Sequence, residues 1–184
     1  MTRPRDIADS INRINSSAAN ATAVTINSSE RVIFSHGITF NGDTADVNTL
    51  NDYQEGTWTA GFKGTVTNPT IASVTNSTGV YTKIGDLVFI QYYSGGINIS
   101  HAGTGSAYID GLPFSPSDSP SSVNQYSVIT FTHTTAFANQ IQNGYTARSF
   151  AGIFLVREGT VNLTTWTTGS PLYIMFSGVY RTDA

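Results

Sequence analysis

The stretch Leu50-Asn51-Asp52-Tyr53-Gln54-Glu55-Gly56-Thr57-Trp58-Thr59 separates two kinds of sequence. Before it lie short apolar fragments mixed with turn residues. After it, β-branched and aromatic runs recur between clusters of Gly, Pro, Asn and Ser. Residues 57–62, 81–84, 87–93, 106–109, 127–133, 150–156 and 172–180 read as strands on this pattern. Seven or eight strands with no helical run predict a mainly β head over 50–184, an antiparallel β-sandwich of jelly-roll-like form. Between Ile84 and Leu87, Gly85-Asp86 has the length and composition of a two-residue II′ hairpin loop, because glycine accepts positive φ at the first position.

Composition supports the same class. The 184 residues include 26 Thr, 20 Ser and 14 Asn against two Lys, and charged residues make up only 11%. Thr tolerates a pleated backbone, and Ser and Asn populate turns. A coiled-coil or helical protein would carry far more Glu and Lys. The net charge of -3 leaves no electrostatic footprint for nucleic acid. No run approaches the roughly 18 apolar residues of a membrane span, so no membrane insertion is expected. Arg3 and Arg5 are not followed by the apolar core of a signal peptide. Absence of cysteine removes disulfides and thiolate metal sites.

Residues 1–23 read as a helix. Pro4 suits a first helical turn, and Asp6 and Asp9 complement the positive end of the dipole. Ile7, Ile11, Ile14, Ala18 and Ala21 then alternate four- and three-residue spacings, the seam of a heptad pattern. Ile at both seam positions favours three or more strands over two. A helix of about 17 residues is marginal alone, so it needs partners. The alternative is one amphipathic helix packed on its own domain. From Val24 onward the fragments Val24-Thr25-Ile26, Val32-Ile33-Phe34 and Ile38-Thr39-Phe40 alternate with turn material over 24–49, each too short to make a sheet by itself.

Several head strands are apolar on both faces. In 87–93, Leu87, Phe89 and Tyr93 line one face and Val88, Ile90 and Tyr92 the other; 153–156 and 172–176 repeat the pattern. An antiparallel sheet ordinarily leaves one face polar and wet, so these strands call for a second cover. A neighbouring subunit or the domain's own loops could supply it. Long connections are expected at 64–78, 95–105, 113–125 and 134–147. In the last, Phe137 and Tyr145 stand among Asn139, Gln140, Gln142 and Asn143. Aromatic faces bordered by amides suit a neutral sugar, which makes these six residues the candidate receptor contacts. The competing role for Phe137 and Tyr145 is to anchor the loop on the core.

Catalysis is not expected. Glycan hydrolysis would need two carboxylates about 5–10 Å apart, and the nearest acidic pair, Asp52 and Glu55, has a structural role in the domain-opening stretch. His36, His101 and His133 are scattered without further ligands, although three copies of His36 could meet on a symmetry axis. No cofactor is implied: there is no phosphate-binding glycine loop and no nucleophile elbow.

The ordered set of motifs resembles a known family. Residues 50–59 are similar to the Leu-Asp-Asp-Tyr-Glu-Glu-Gly-Thr-Trp-Thr-Pro signature opening the C-terminal β-domain of many tailed-bacteriophage fibre proteins. Asn51, Gln54 and Ala60 depart from it. Gly37-Ile38-Thr39-Phe40-Asn41-Gly42-Asp43-Thr44, the stretch from Gly79 to Phe89, Gly111-Leu112-Pro113-Phe114 and the stretch from Phe176 to Thr182 follow in the family's order. The resemblance implies a homotrimeric virion tail fibre in which residues 24–49 pair between chains as an intertwined β-stalk. The N-terminus would hold virion tail or capsid proteins and the head a host surface glycan. Synthesis would be in the host cytoplasm without a signal peptide. A capsid decoration protein or head fibre is the alternative.

Overall fold

The computed structural model describes residues 13–15, 22–26, 28–34, 37–38, 50, 52–119, 126–139, 141–157 and 164–183. The chain divides into two compact units, Met1–Asp52 and Tyr53–Ala184.

In the first unit, β1 (Arg13–Asn15), β2 (Thr22–Ile26) and β3 (Val32–Phe34) form an antiparallel three-stranded sheet in chain order. Ile14 pairs with Val24 and Ile26 with Val32, while Ile38 and Leu50 exchange two backbone hydrogen bonds of 3.0 and 2.9 Å. Two expectations change here. Ile14, assigned to a helical seam, stands in a strand. The 24–26 and 32–34 fragments, expected to pair between chains, pair within one. β-branched Thr22, Val24, Thr25 and Ile26 lose rotamer freedom in a helix and fit a strand. A tight turn through Ser28, Ser29 and Glu30, the last at φ 61°, gives them a local partner without the cost of nucleating a short helix. Ile7, Ile11, Ala18, Ala21 and His36 lie outside the described residues. Ile26, Val32 and Phe34 remain exposed.

Among the described residues the second unit holds ten strands: β4 (Tyr53–Thr59), β5 (Gly61–Gly64), β6 (Thr70–Thr75), β7 (Thr78–Ile84), β8 (Leu87–His101), β9 (Ala107–Asp110), β10 (Ser127–Thr132), β11 (Ile141–Ala147), β12 (Phe150–Arg157) and β13 (Gly169–Arg181). They make one antiparallel sheet in the order β4-β7-β8-β13-β10-β11-β12-β9-β5, with β6 pairing the far part of β8. The ends of that path, β4 and β5, are neighbours in the chain, separated only by buried Ala60. The run 57–62, read as one straight strand, therefore turns a corner and brings the first and last strands together. The expected mainly β, antiparallel head is present, but as a single sheet rolled nearly into a barrel rather than two separate sheets. At the corner the Ala60 N–H donates to the Ser77 carbonyl at 3.1 Å.

β6 and β11 occupy segments expected to be loops. Their sequences, TIASVT and IQNGYTA, carry few apolar residues, so the period-2 signal is weak. The hairpin at Gly85-Asp86 is as expected: Ile84 pairs with Leu87, and Gly85 takes φ 55° while Asp86 stays at negative φ.

Alternation along the strands fills the interior. Val88, Ile90, Tyr92 and Ser94 of β8 point inward, as do Ile174, Phe176 and Tyr180 of β13. Phe176 is the hub, its ring centroid 4.9 Å from Phe131, 5.1 Å from Tyr92 and 6.0 Å from Trp58. A second cluster joins Phe62, Trp166 and Phe137, with the Trp166 indole donating to the Lys63 carbonyl at 2.7 Å. A third gathers around Phe114. Tyr81 meets that ring edge-on at 5.4 Å, and the buried Lys83 ammonium sits 5.6 Å from its centroid. The Tyr180 hydroxyl accepts from the Phe114 N–H at 3.3 Å and donates to its carbonyl at 2.9 Å. Burial holds that phenol protonated far above its ordinary range, with the hydrogen bond from the Phe114 N–H opposing the shift.

Phe176 is 2% exposed and touches three aromatic rings. Phe176→Ala is expected to lower unfolding free energy by about 3–5 kcal/mol in urea denaturation followed by tryptophan fluorescence.

Candidate functional site

Strand register arranges the outer face of β7, β8, β13, β10 and β11 into rows running across the strands. Val80 pairs with Gln91, Gln91 with Ser177, Ser177 with Thr130, and Thr130 with Asn143. On one side of this row stand Thr82, Phe89 and Val179; on the other stand Tyr93, Met175 and Thr132. All but half-buried Thr82 are exposed. Among the described residues, no loop covers the outer apolar residues Leu87, Phe89 and Tyr93 of β8.

The flanking residues are large and the central row is mostly short and polar, so two shallow grooves result. One of about 550 Å³ lies toward Phe89 and Val179, and one of about 530 Å³ toward Tyr93 and Met175. They share Val80, Gln91 and Ser177, and no residue lining either is charged. The side chains of Gln91, Thr130, Ser177 and Asn143 make no hydrogen bond among the described residues. At one end the His133 ring, on a backbone at φ 52°, is stacked between Tyr173 at 4.3 Å and Tyr93 at 6.2 Å.

Farther round the sheet the outer face becomes a ladder of touching rings. Tyr145 pairs with Val128 on one side and Phe154 on the other, and Phe154 pairs with Tyr108. Centroids lie 5.7 Å apart for Tyr126 and Tyr145, 5.4 Å for Tyr145 and Phe154, and 4.7 Å for Phe154 and Phe150.

The six expected receptor residues separate. Phe137 is 5% exposed and packs against Trp166 and Phe131, so its ring anchors the segment on the core. It offers nothing to a ligand. Asn139 is half-buried in the turn before β11. Asn143 extends the polar row, and Tyr145 stands at the centre of the ring ladder. Gln140 and the side chain of Gln142 lie outside the described residues. The sequence reading missed Gln91, Thr130 and Ser177. Gln91 interrupts the outer face of Leu87, Phe89 and Tyr93, and Ser177 interrupts that of Tyr173, Met175 and Val179. Only the register shows that the two interruptions meet.

Asp52 and Glu55 belong to different units. Glu55 is exposed on β4 and accepts a hydrogen bond from the Tyr53 hydroxyl, which raises the pKa of that phenol. The Nδ1 atom of exposed His101 accepts from the Gly103 N–H at 3.0 Å. Among the described residues no three His, Asp or Glu side chains gather as metal ligands. Asp183 instead clasps the loop before residue 120. It accepts from the Ser117 hydroxyl at 2.5 Å and the Asp118 N–H at 2.9 Å, and these bonds, the first above all, hold its carboxyl below the ordinary range.

No family model, no curated protein and no solved structure matches the chain.

Because the Asp183 pKa is depressed on folding, the clasp is fully present above the ordinary carboxylate range and is lost as pH falls through the lowered value. Hydrogen exchange should show the Asp118 amide protected at neutral pH and released in acid. Asp183→Asn should release it at neutral pH too.

Proposed function

We propose that the chain is a bacteriophage virion tail fibre: a homotrimer whose Tyr53–Ala184 unit is the head, attaching the particle to a glycan on the host surface. The ordered motifs that resemble fibre proteins support the virion setting. The observation that carries assembly is the outer face of β10 to β12. Val128 is 68% exposed and Tyr126 58%, and they continue into the half-buried rings of Tyr145, Phe154, Phe150 and Tyr108. Soluble monomers rarely leave a contiguous apolar patch open, and the usual cover is another protein surface. A second copy is the partner in constant supply, and a head-to-tail contact repeated three times closes into a ring. Exposed Ile26, Val32 and Phe34 on the small sheet give the first unit the same need.

Three heads on one fibre raise the effective concentration of a weak site, so binding that is feeble singly becomes durable attachment. Gold-labelled antibody on intact particles tests the placement. Label on the tail is expected; label spread over the shell would make the protein a capsid decoration or head fibre instead.

Native mass spectrometry should give a species at three times 19.7 kDa. Val128→Asp with Tyr126→Asp should shift it to the single-chain mass while the circular dichroism of the β head is unchanged. A wild-type protein that runs only as monomer would overturn the assembly.

A further inference from the structure

We propose that the paired grooves on the outer face of β7, β8, β13 and β10 are one binding trough for an extended, uncharged oligosaccharide. It would lie across the strands along the row Val80, Gln91, Ser177, Thr130 and Asn143. This rests on the glycan-attachment reading of the head and assigns its site.

The chemistry of the lining selects the ligand. Gln91 and Asn143 each offer two N–H donors and a carbonyl acceptor, and Ser177 and Thr130 each offer a hydroxyl that can donate or accept. All four are free of partners among the described residues. Such a row matches a chain of hydroxyls, which also both donate and accept. The ridges on either side are apolar: Phe89 and Val179 on one, Tyr93 and Met175 on the other. They cover the C–H faces of sugar rings. No charged residue lines the trough, so a phosphorylated or uronic-acid polymer finds no counter-ion there.

A second copy of the chain fits this face poorly. Apolar side chains pressed onto it would bury Gln91, Thr130 and Ser177 without partners, at about 1–3 kcal/mol for each unsatisfied group. The ring ladder beyond Val128 has no such row and suits a protein neighbour better. Dimensions agree as well. From β7 to β11 are four strand spacings, roughly 19 Å at about 4.8 Å each, so the trough takes several sugar units rather than one. Each hollow lies within the roughly 300–1,000 Å³ range of ligand sites.

The test uses the full chain against an immobilised array of neutral and acidic bacterial surface oligosaccharides, with native mass recorded on each sample. Ser177→Trp fills the trough and Gln91→Ala removes its one amide on β8. Expected are binding to neutral members of at least three units, loss of that binding in Ser177→Trp, and a fall of about 3- to 10-fold in Gln91→Ala from one lost hydrogen bond. Oligomer mass should be unchanged in both. Should Ser177→Trp break the oligomer, this face is a subunit contact and the trough is overturned while the assembly stands. Unaltered binding in both variants, or binding confined to acidic glycans, overturns the trough too. A wild-type oligomer that binds no glycan sinks both the trough and the attachment role.

Discussion

The pairing of β8 with β13 is the constraint on which the rest of the second unit depends. Their register joins ten residue pairs, from Leu87 with Arg181 to Ile99 with Gly169. Because side chains alternate faces at every residue, this register decides two surfaces at once. Inward it places Tyr92 against Phe176, the centre of the aromatic core. Outward it places Gln91 beside Ser177 and makes the polar row continuous. A one-residue slip of β13 would bring Phe176 out and leave Ser177 facing Tyr92 in the interior. Core packing therefore enforces the register, and the outer row follows from it.

Within the second unit, the motifs that resemble a fibre family come together in space for structural reasons. Gly56 lies under the Tyr81 ring and Gly79 against the Trp58 indole; an added Cβ would sit 2.7 Å from the first and 2.5 Å from the second. Tyr81, Lys83 and Tyr180 converge on Phe114, and Arg181 forms a 2.8 Å ion pair with Asp86 in the β7–β8 turn. Residues 53–59, the central hairpin, Gly111-Leu112-Pro113-Phe114 and the C-terminal strand are thus parts of one packed end of the barrel. Their inward residues make a scaffold, while the outward residues of the same strands, Val80, Phe89, Ser177 and Val179, meet Gln91 and Thr130 on the outer face.

The division between local and tertiary signals explains what was legible in the sequence. Strands with strong β-branched or aromatic runs and the Gly85 turn carry their own local signal, so they could be read directly. β6 and β11 take their strand form from neighbours, Val74 beside Ile97 and Tyr145 beside Phe154, and not from their own composition. The Ala60 corner is also tertiary, since nothing in Thr59-Ala60-Gly61 announces that the two strands will lie at opposite ends of one sheet. Phe137 and Tyr145 looked alike in sequence, each an aromatic among amides. Pairing with Trp166 turned one inward, and the alternation of β11 turned the other out. The helical seam through Ile14 failed because apolar spacing over so short a span does not outweigh a β-branched neighbour ready to pair.

The scarcity of charge connects the fold to the ligand chemistry. A sheet apolar inside and partly apolar outside needs polar surface to stay dissolved, and this chain supplies it with Thr, Ser and Asn rather than Lys and Glu. On the row through Phe89 and Tyr145, the outer face meets charge only at its extremes, at Glu55 on β4 and at Lys63 on β5, where Lys63 lies 3.7 Å from Asp110. Hydroxyls and amides hydrate well yet desolvate at far lower cost than ions. A surface made of them can exchange water for another hydroxyl-rich molecule with little penalty, while a charged surface would hold its water or demand a counter-charge. The composition that makes the β-strands possible thus also makes the face between Phe89 and Tyr93 receptive to a neutral, hydroxyl-bearing partner.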